Sequence, residues 1–126
     1  MMVDPIADML ARLRNAHQAL HQKVAVPRSK MKLAVCEILK NEGYILDYSA
    51  GERDITVELK YDGGTPLISG MKRVSKPGRR VYVGAQDIPS VQNGLGICVL
   101  STSRGVLAGG EAKAQNIGGE LLFEVW

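Results

Sequence analysis

Glycine is distributed so unevenly along this chain that it sets two different textures before any motif is considered. Only Gly43 and Gly51 of the 14 glycines precede Asp62, and the other twelve follow it. Glycine weakens helix interiors and serves turns and close backbone approaches. The first half can therefore carry helices, whereas the second must be made of short segments and frequent turns. Asp62-Gly63-Gly64-Thr65-Pro66 lies where the texture changes and reads as a linker or long turn. It separates two expected lobes, 1–64 and 65–126, within a chain of 126 residues.

In the first lobe, Asp4-Pro5 is a helix start, and Ile6, Met9, Leu10, Leu13 and Leu20 recur at helical spacing as one buried stripe. Arg12, Arg14 and Asn15 fall off that stripe. Val24-Ala25-Val26 predicts a strand ended by Pro27. Ser29 can cap a second helix reaching about Asn41, with Leu33, Cys36 and either Val35 or Leu39 inward and Gly43 as its stop. Tyr44 to Ser49 and Asp54 to Tyr61 predict strands, the second alternating Ile55, Val57 and Leu59 inward with Thr56, Glu58 and Lys60 outward.

The second lobe predicts strands around Leu67 to Ser75, Arg79 to Gly84, Ile97 to Ser101, Gly105 to Ala108 and Glu120 to Trp126. Ile88 to Gln92 reads as a helical turn, and Glu111 to Asn116 as a short helix, weakened by Gly109 and Gly110 before it. Pro77-Gly78 suits a type II turn. Ile97 to Leu100 is an unbroken apolar run ending in Ser101-Thr102-Ser103-Arg104-Gly105. Two readings of that ending stand side by side. One is a hydroxyl turn closing a hairpin; the other is a loop of short donors and acceptors that enters a groove.

Charge is informative through its distribution. The net charge is only +3, from 16 Lys and Arg against 13 Asp and Glu. Yet no acid lies between Asp8 and Glu37, a span holding Arg12, Arg14, Lys23, Arg28, Lys30 and Lys32. None lies between Asp62 and Asp87, where Lys72, Arg73, Lys76, Arg79 and Arg80 occur. Such tracts make a positive surface without an extreme isoelectric point. Arg28, Lys30 and Lys32 surround the start of the second helix, and read either as a phosphate site or as a solvated face. Tyr82 shares a strand face with Arg80 and offers a ring for stacking.

Catalytic patterns are missing: no nucleophile–base ordering, no paired carboxylates, and a Gly94-x-Gly96 that precedes a strand where a phosphate loop would follow one. The chain is not expected to be an enzyme or to need a cofactor. The competing reading is a cytoplasmic enzyme or metal-binding domain using His17 and His21, four apart on the first helix but without further ligands. Cys36 and Cys98 sit in apolar stretches and read as core thiols of a reducing compartment. With no signal region or membrane-length apolar run, the expected location is cytoplasmic.

Asp4-Pro5-Ile6-Ala7-Asp8-Met9-Leu10 with Arg12-x-Arg14-Asn15 resembles the start of the bacterial small-subunit ribosomal protein eight family. The resemblance continues through Arg73-Val74-Ser75-Lys76-Pro77-Gly78-Arg79-Arg80-Val81-Tyr82 and Gly94-Leu95-Gly96-Ile97. It ends with Ser101-Thr102-Ser103-x-Gly105-Val106 and Gly118-Gly119-Glu120, so it covers nearly the whole chain in order. Arg104 stands where Lys is usual, which keeps the charge and changes the fork geometry.

The resemblance implies a two-lobed α+β protein in the small ribosomal subunit that binds a helix of small-subunit ribosomal RNA with an irregular internal loop, acting in assembly and translation. Neighbouring small-subunit ribosomal proteins and its own messenger RNA are further implied partners; a membrane is not. The implied RNA-contacting residues in the first lobe are Asp4, Arg12, Arg14, Asn15, Arg28, Ser29 and Lys30. In the second they are Ser75, Lys76, Pro77, Gly78, Arg79, Arg80, Tyr82, Ser101, Thr102, Ser103, Arg104, Gly105, Gly118, Gly119 and Glu120. A shallow minor groove displaying 2′-hydroxyls suits short hydroxyl side chains, with cations holding phosphates.

Overall fold

Helix and strand nuclei form where apolar periodicity is clean, and their ends are set by local backbone chemistry. A computed structural model describes residues 4–126. Residues 1–3 of the first expected lobe lie outside the described residues. The fold is α+β, and the chain divides into two compact units: Pro5–Ser69, and Gly70–Trp126 together with Asp4.

The N-terminal unit runs α1 (Pro5–Gln18), β1 (Lys23–Pro27), α2 (Lys30–Asn41), β2 (Ile45–Ala50), β3 (Asp54–Leu59), β4 (Tyr61–Asp62) and β5 (Thr65–Pro66). Its three-stranded antiparallel sheet has β3 at the centre, between β1 and β2. The alternation on β3 is real: Ile55, Val57 and Leu59 are buried. Against them pack the helices, α1 on β1 and α2 on β2. Both Val35 and Leu39 are buried with Cys36, because α2 turns a broader stripe inward than the sequence alternatives allowed. Tyr48 on β2 donates to Glu37 of α2 at 2.5 Å, which pushes its hydroxyl up to about 12.

Leu20 does not belong to the α1 stripe. The helix stops at Gln18, Leu20 takes φ 57°, and its side chain is 61% exposed. Leu20 N–H donates to His17 O and His21 N–H to Ala16 O, the paired bonds of a Schellman end. Gly43 closes α2 by the same pair of bonds. The Asp62–Pro66 stretch is a hairpin of β4 and β5, with Gly63 and Gly64 at φ 58° and 83°, rather than an open linker.

The C-terminal unit is built on β8 (Ile97–Thr102), β9 (Gly105–Ala108) and β10 (Gly119–Val125), with β6 (Met71–Arg73), β7 (Tyr82–Val83) and the short helix α3 (Gly109–Ala114). Strand β8 lies between β9 and β10; β6 and β7 follow one another along the other edge of β10. A bulge at Leu122 lets Leu121, Leu122 and Phe123 all be buried. One sheet face carries Cys98, Leu100 and Leu121 against Ala112 of α3, Ile88 and Val91.

Several local expectations change here. The strands around Leu67–Ser75 and Arg79–Gly84 shrink to β6 and β7, since the basic turn between them interrupts pairing. Ile88–Val91 is extended, with single-turn 3₁₀ segments at Ala85–Asp87 and Gln92–Gly94 on either side. Helix α3 begins two residues early, taking Gly109 and Gly110 into its first turn, and Gly109 lies so close to the core that a Cβ there would be 2.5 Å from Cys98 Sγ.

Candidate nucleic-acid interface

Strand β8 delivers the hydroxyl run to the end of the sheet, where it turns into β9. Thr102 pairs with Gly105, leaving Ser103 and Arg104 as the hairpin tip. Thr102 Oγ1 accepts from Arg104 N–H at 3.0 Å and donates to Gly105 O at 2.7 Å. Gly105 takes φ 101° while neither Ser103 nor Arg104 is left-handed, the pattern in which a G1-type glycine follows the turn instead of supplying one of its central residues. The hydroxyl turn is therefore a genuine hairpin closure. Its structural work falls on Thr102, while Ser103 and Arg104 are exposed. Arg104 is steadied from α3's end: it donates to Gln115 Oε1 at 3.2 Å, and Gln115 donates to Glu111 at 2.8 Å. Gln115 escaped the sequence reading, although its spacing from Glu111 on a short helix was a signal.

Beside the hairpin, register creates a row that no local pattern displays. Glu120 of β10 is paired with Ser101 of β8 on one side and Tyr82 of β7 on the other. Paired residues share a sheet face, so Tyr82, Glu120 and Ser101 stand in line on the face opposite the α3 cluster. Tyr82 is 70% exposed. The row is brought together by Gly118 and Gly119. A Cβ at Gly119 would sit 2.3 Å from Ser101 O, and one at Gly118 2.3 Å from Val83 O. Only glycines admit the neighbouring backbones this closely.

Glu120 is fixed from beneath. Ser75, fully buried, donates its hydroxyl to Glu120 Oε2 at 2.6 Å and accepts from Val81 N–H at 3.1 Å. Arg80 donates to the same carboxylate oxygen at 2.9 Å. Ser75 thus positions Glu120 from inside the fold rather than lying on a contact surface. Lys76 and Arg79 close the basic turn by mutual backbone bonds of 3.0 and 2.9 Å. Gly78 is absent from the left-handed region, so the turn is not type II. Among the described residues neither Lys76 nor Arg79 takes part in an ion pair, and both are exposed. Arg73 is drawn inward, to Asp4 at 3.1 Å and Leu122 O at 2.5 Å.

In the N-terminal unit the first basic tract is thinned. Arg12 pairs with Asp8 at 2.9 Å, Lys23 with Glu58 at 3.9 Å, and Lys32 is buried with its ammonium on Pro27 O at 3.1 Å. Lys32 is therefore no part of a surface cluster. Ser29 caps α2 by accepting from Lys32 N–H at 3.1 Å. Lys30 is exposed beside that helix start, and exposed Arg28 donates to Gly51 O at 2.8 Å. Arg14 and Asn15 lie exposed on α1.

His17 and His21 part company. His17 is buried edge-on to Tyr61, with ring centroids 5.5 Å apart, and burial holds its pKa below the ordinary value. His21 is exposed, and its carbonyl accepts from the Tyr61 hydroxyl. Among the described residues no three His, Cys, Asp or Glu side chains are grouped to hold a metal ion. No helix among them is long and apolar enough to cross a membrane.

Comparison with known proteins gives a consistent result along the chain. Residues 4–126 match the family described as ribosomal protein S8. Small ribosomal subunit protein uS8 of Oleidesulfovibrio alaskensis is 66% identical over 126 residues, which is all of each chain. Proteins of the same name from Nitratidesulfovibrio vulgaris (strain Miyazaki F) and Lawsonia intracellularis are 65% and 56% identical, again over all of each chain.

Proposed function

The chain belongs to the ribosomal protein S8 family, and from that premise we propose that it is a structural constituent of the small ribosomal subunit that binds a helix of small-subunit ribosomal RNA. The target is duplex interrupted by an irregular internal loop, and binding acts in subunit assembly. Neighbouring ribosomal proteins complete its surroundings, and its own messenger would be held by the same surface where it folds the same loop.

The observation that carries this reading is the row Tyr82–Glu120–Ser101 beside the tip Ser103–Arg104. It presents a ring for an unstacked base, a carboxylate that accepts from base or ribose donors, and hydroxyls that both donate and accept. Lys76 and Arg79 flank it as phosphate partners. Such contacts hold the backbone while the row supplies discrimination. In the N-terminal unit, Lys30 and Arg28 at the start of α2 are assigned to phosphate, together with the α1 surface of Arg14 and Asn15.

Ser103→Ala tests the readout. An exposed turn hydroxyl contributes about 1 kcal/mol or less to stability, whereas losing a hydroxyl buried against RNA leaves an unpaired group and costs about 1–3 kcal/mol, roughly 5- to 150-fold in affinity. Titration against isolated small-subunit RNA fragments should show that loss, with the salt slope and melting temperature unchanged. Native affinity in the variant would remove Ser103 from the interface, and a large fall in melting temperature would make the tip structural first.

A further inference from the structure

The sequence offers Arg79 and Arg80 as equivalent phosphate partners. The structure separates them. Arg79 lies exposed without an ion pair among the described residues, while Arg80 holds the carboxylate of Glu120 at 2.9 Å. That carboxylate is only 17% exposed and is anchored by the buried Ser75 hydroxyl at 2.6 Å. Arg80 therefore cannot leave for a phosphate without exposing an approaching polyanion to a fixed negative charge.

We infer that Glu120 is a specificity-determining residue: it cancels the charge of Arg80 and keeps the readout row electrically neutral. This rests on the RNA reading of the same surface. An ion pair of zero net charge displaces no condensed counterion, so it adds nothing to the sequence-independent attraction that any RNA backbone exerts. Lys76 and Arg79 supply that attraction at the edge of the row. Along the row itself, Tyr82, Glu120 and Ser101 discriminate by stacking and hydrogen bonding, without a cation that would reward any phosphate placed there. Ser75 is a positioning residue in this arrangement, because its bond keeps the carboxylate facing Arg80.

The test is a set of filter-binding titrations of the full chain over a range of salt. One probe is a small-subunit RNA helix with its internal loop, and the other is a plain duplex of equal length. Arg79→Ala should flatten the dependence of log K on log salt by about 0.7 to 0.9, the contribution of one phosphate contact. Arg80→Ala leaves the Glu120 carboxylate uncompensated beside the RNA and should weaken binding to both probes. Glu120→Gln should steepen it by about the same 0.7 to 0.9 and tighten binding to plain duplex, so that preference for the looped RNA falls. Adding Arg80→Ala to Glu120→Gln should restore the native slope. A slope in that double variant flattened below the native value by as much as in Arg79→Ala would overturn the inference. So would a steepening in Glu120→Gln that survives loss of Arg80. Glu120→Ala carries the same expectations as Glu120→Gln and takes its place should that variant fail to fold. Equal native affinity for the two RNAs would remove the RNA reading itself; native preference with unmoved slopes would remove only the role of Glu120.

Discussion

Cys36 is completely buried on α2, and burial pushes its thiol up to about 12. Cys98 is raised as well, by burial first and then by Glu124, and its Sγ lies against Pro89 O at 3.9 Å. The thiolate is the reactive form, so both side chains act as small apolar residues. Native protein should label slowly with a thiol reagent at about pH 8 and quickly once denatured. Fast labelling of the native protein accompanied by lost RNA binding would contradict this. The glycines tell the complementary story at the same scale. Gly109, Gly118 and Gly119 matter for the side chain they lack, since a Cβ on any of them would enter a neighbour at 2.5 Å or less. In sequence Gly118 and Gly119 were legible only as a Gly-Gly-Glu run, and Gly109 only as a weak helix start; what they touch is a property of the fold.

Elements were legible where periodicity and caps agree. Ser29 caps α2 and Gly43 ends it as expected, and β3 alternates as written. The failure at Leu20 has a physical cause. A leucine seven positions after Leu13 reads as the next member of the stripe, because side-chain-bearing residues rarely accept positive φ. Here the Schellman bonds hold it there, so α1 ends early. That ending buries His17, whose Nε2 has no hydrogen-bond partner among the described residues. Its folded pKa lies below the ordinary 6.5, so the unfolded chain binds more protons as pH falls through that value. The stabilising contribution of neutral His17 is complete above 6.5 and is lost as pH drops below it toward the folded pKa. Thermal melts at about pH 7.5 and 5.5 should show lower stability at the acid value. His17→Leu should reduce that difference. An identical pH dependence in the variant would place the acid sensitivity elsewhere.

For the whole molecule, an acid-free run in sequence is not an acid-free surface in space. Arg12, Lys23, Arg73 and Arg80 each meet a carboxylate, and for three of them it comes from a distant strand or from the chain's beginning. The family was legible because its runs are distinctive. The line Tyr82–Glu120–Ser101 was not, since pairing among β7, β10 and β8 is set by contacts far apart in the chain. That central place of β10 bears on amide exchange. Strand β10 is flanked along both edges, so its N–H groups are hydrogen-bonded to neighbours before any ligand arrives. Exchange from such a strand waits on cooperative opening, while a tip such as Ser103–Arg104 exchanges by local fluctuation. Deuterium uptake in the free protein should therefore be slow across Gly119–Val125 and fast at the tip. RNA should slow the tip and leave the strand nearly unchanged. Rapid uptake by β10 that stops only on binding would mean that the row is assembled by its ligand instead of waiting for it.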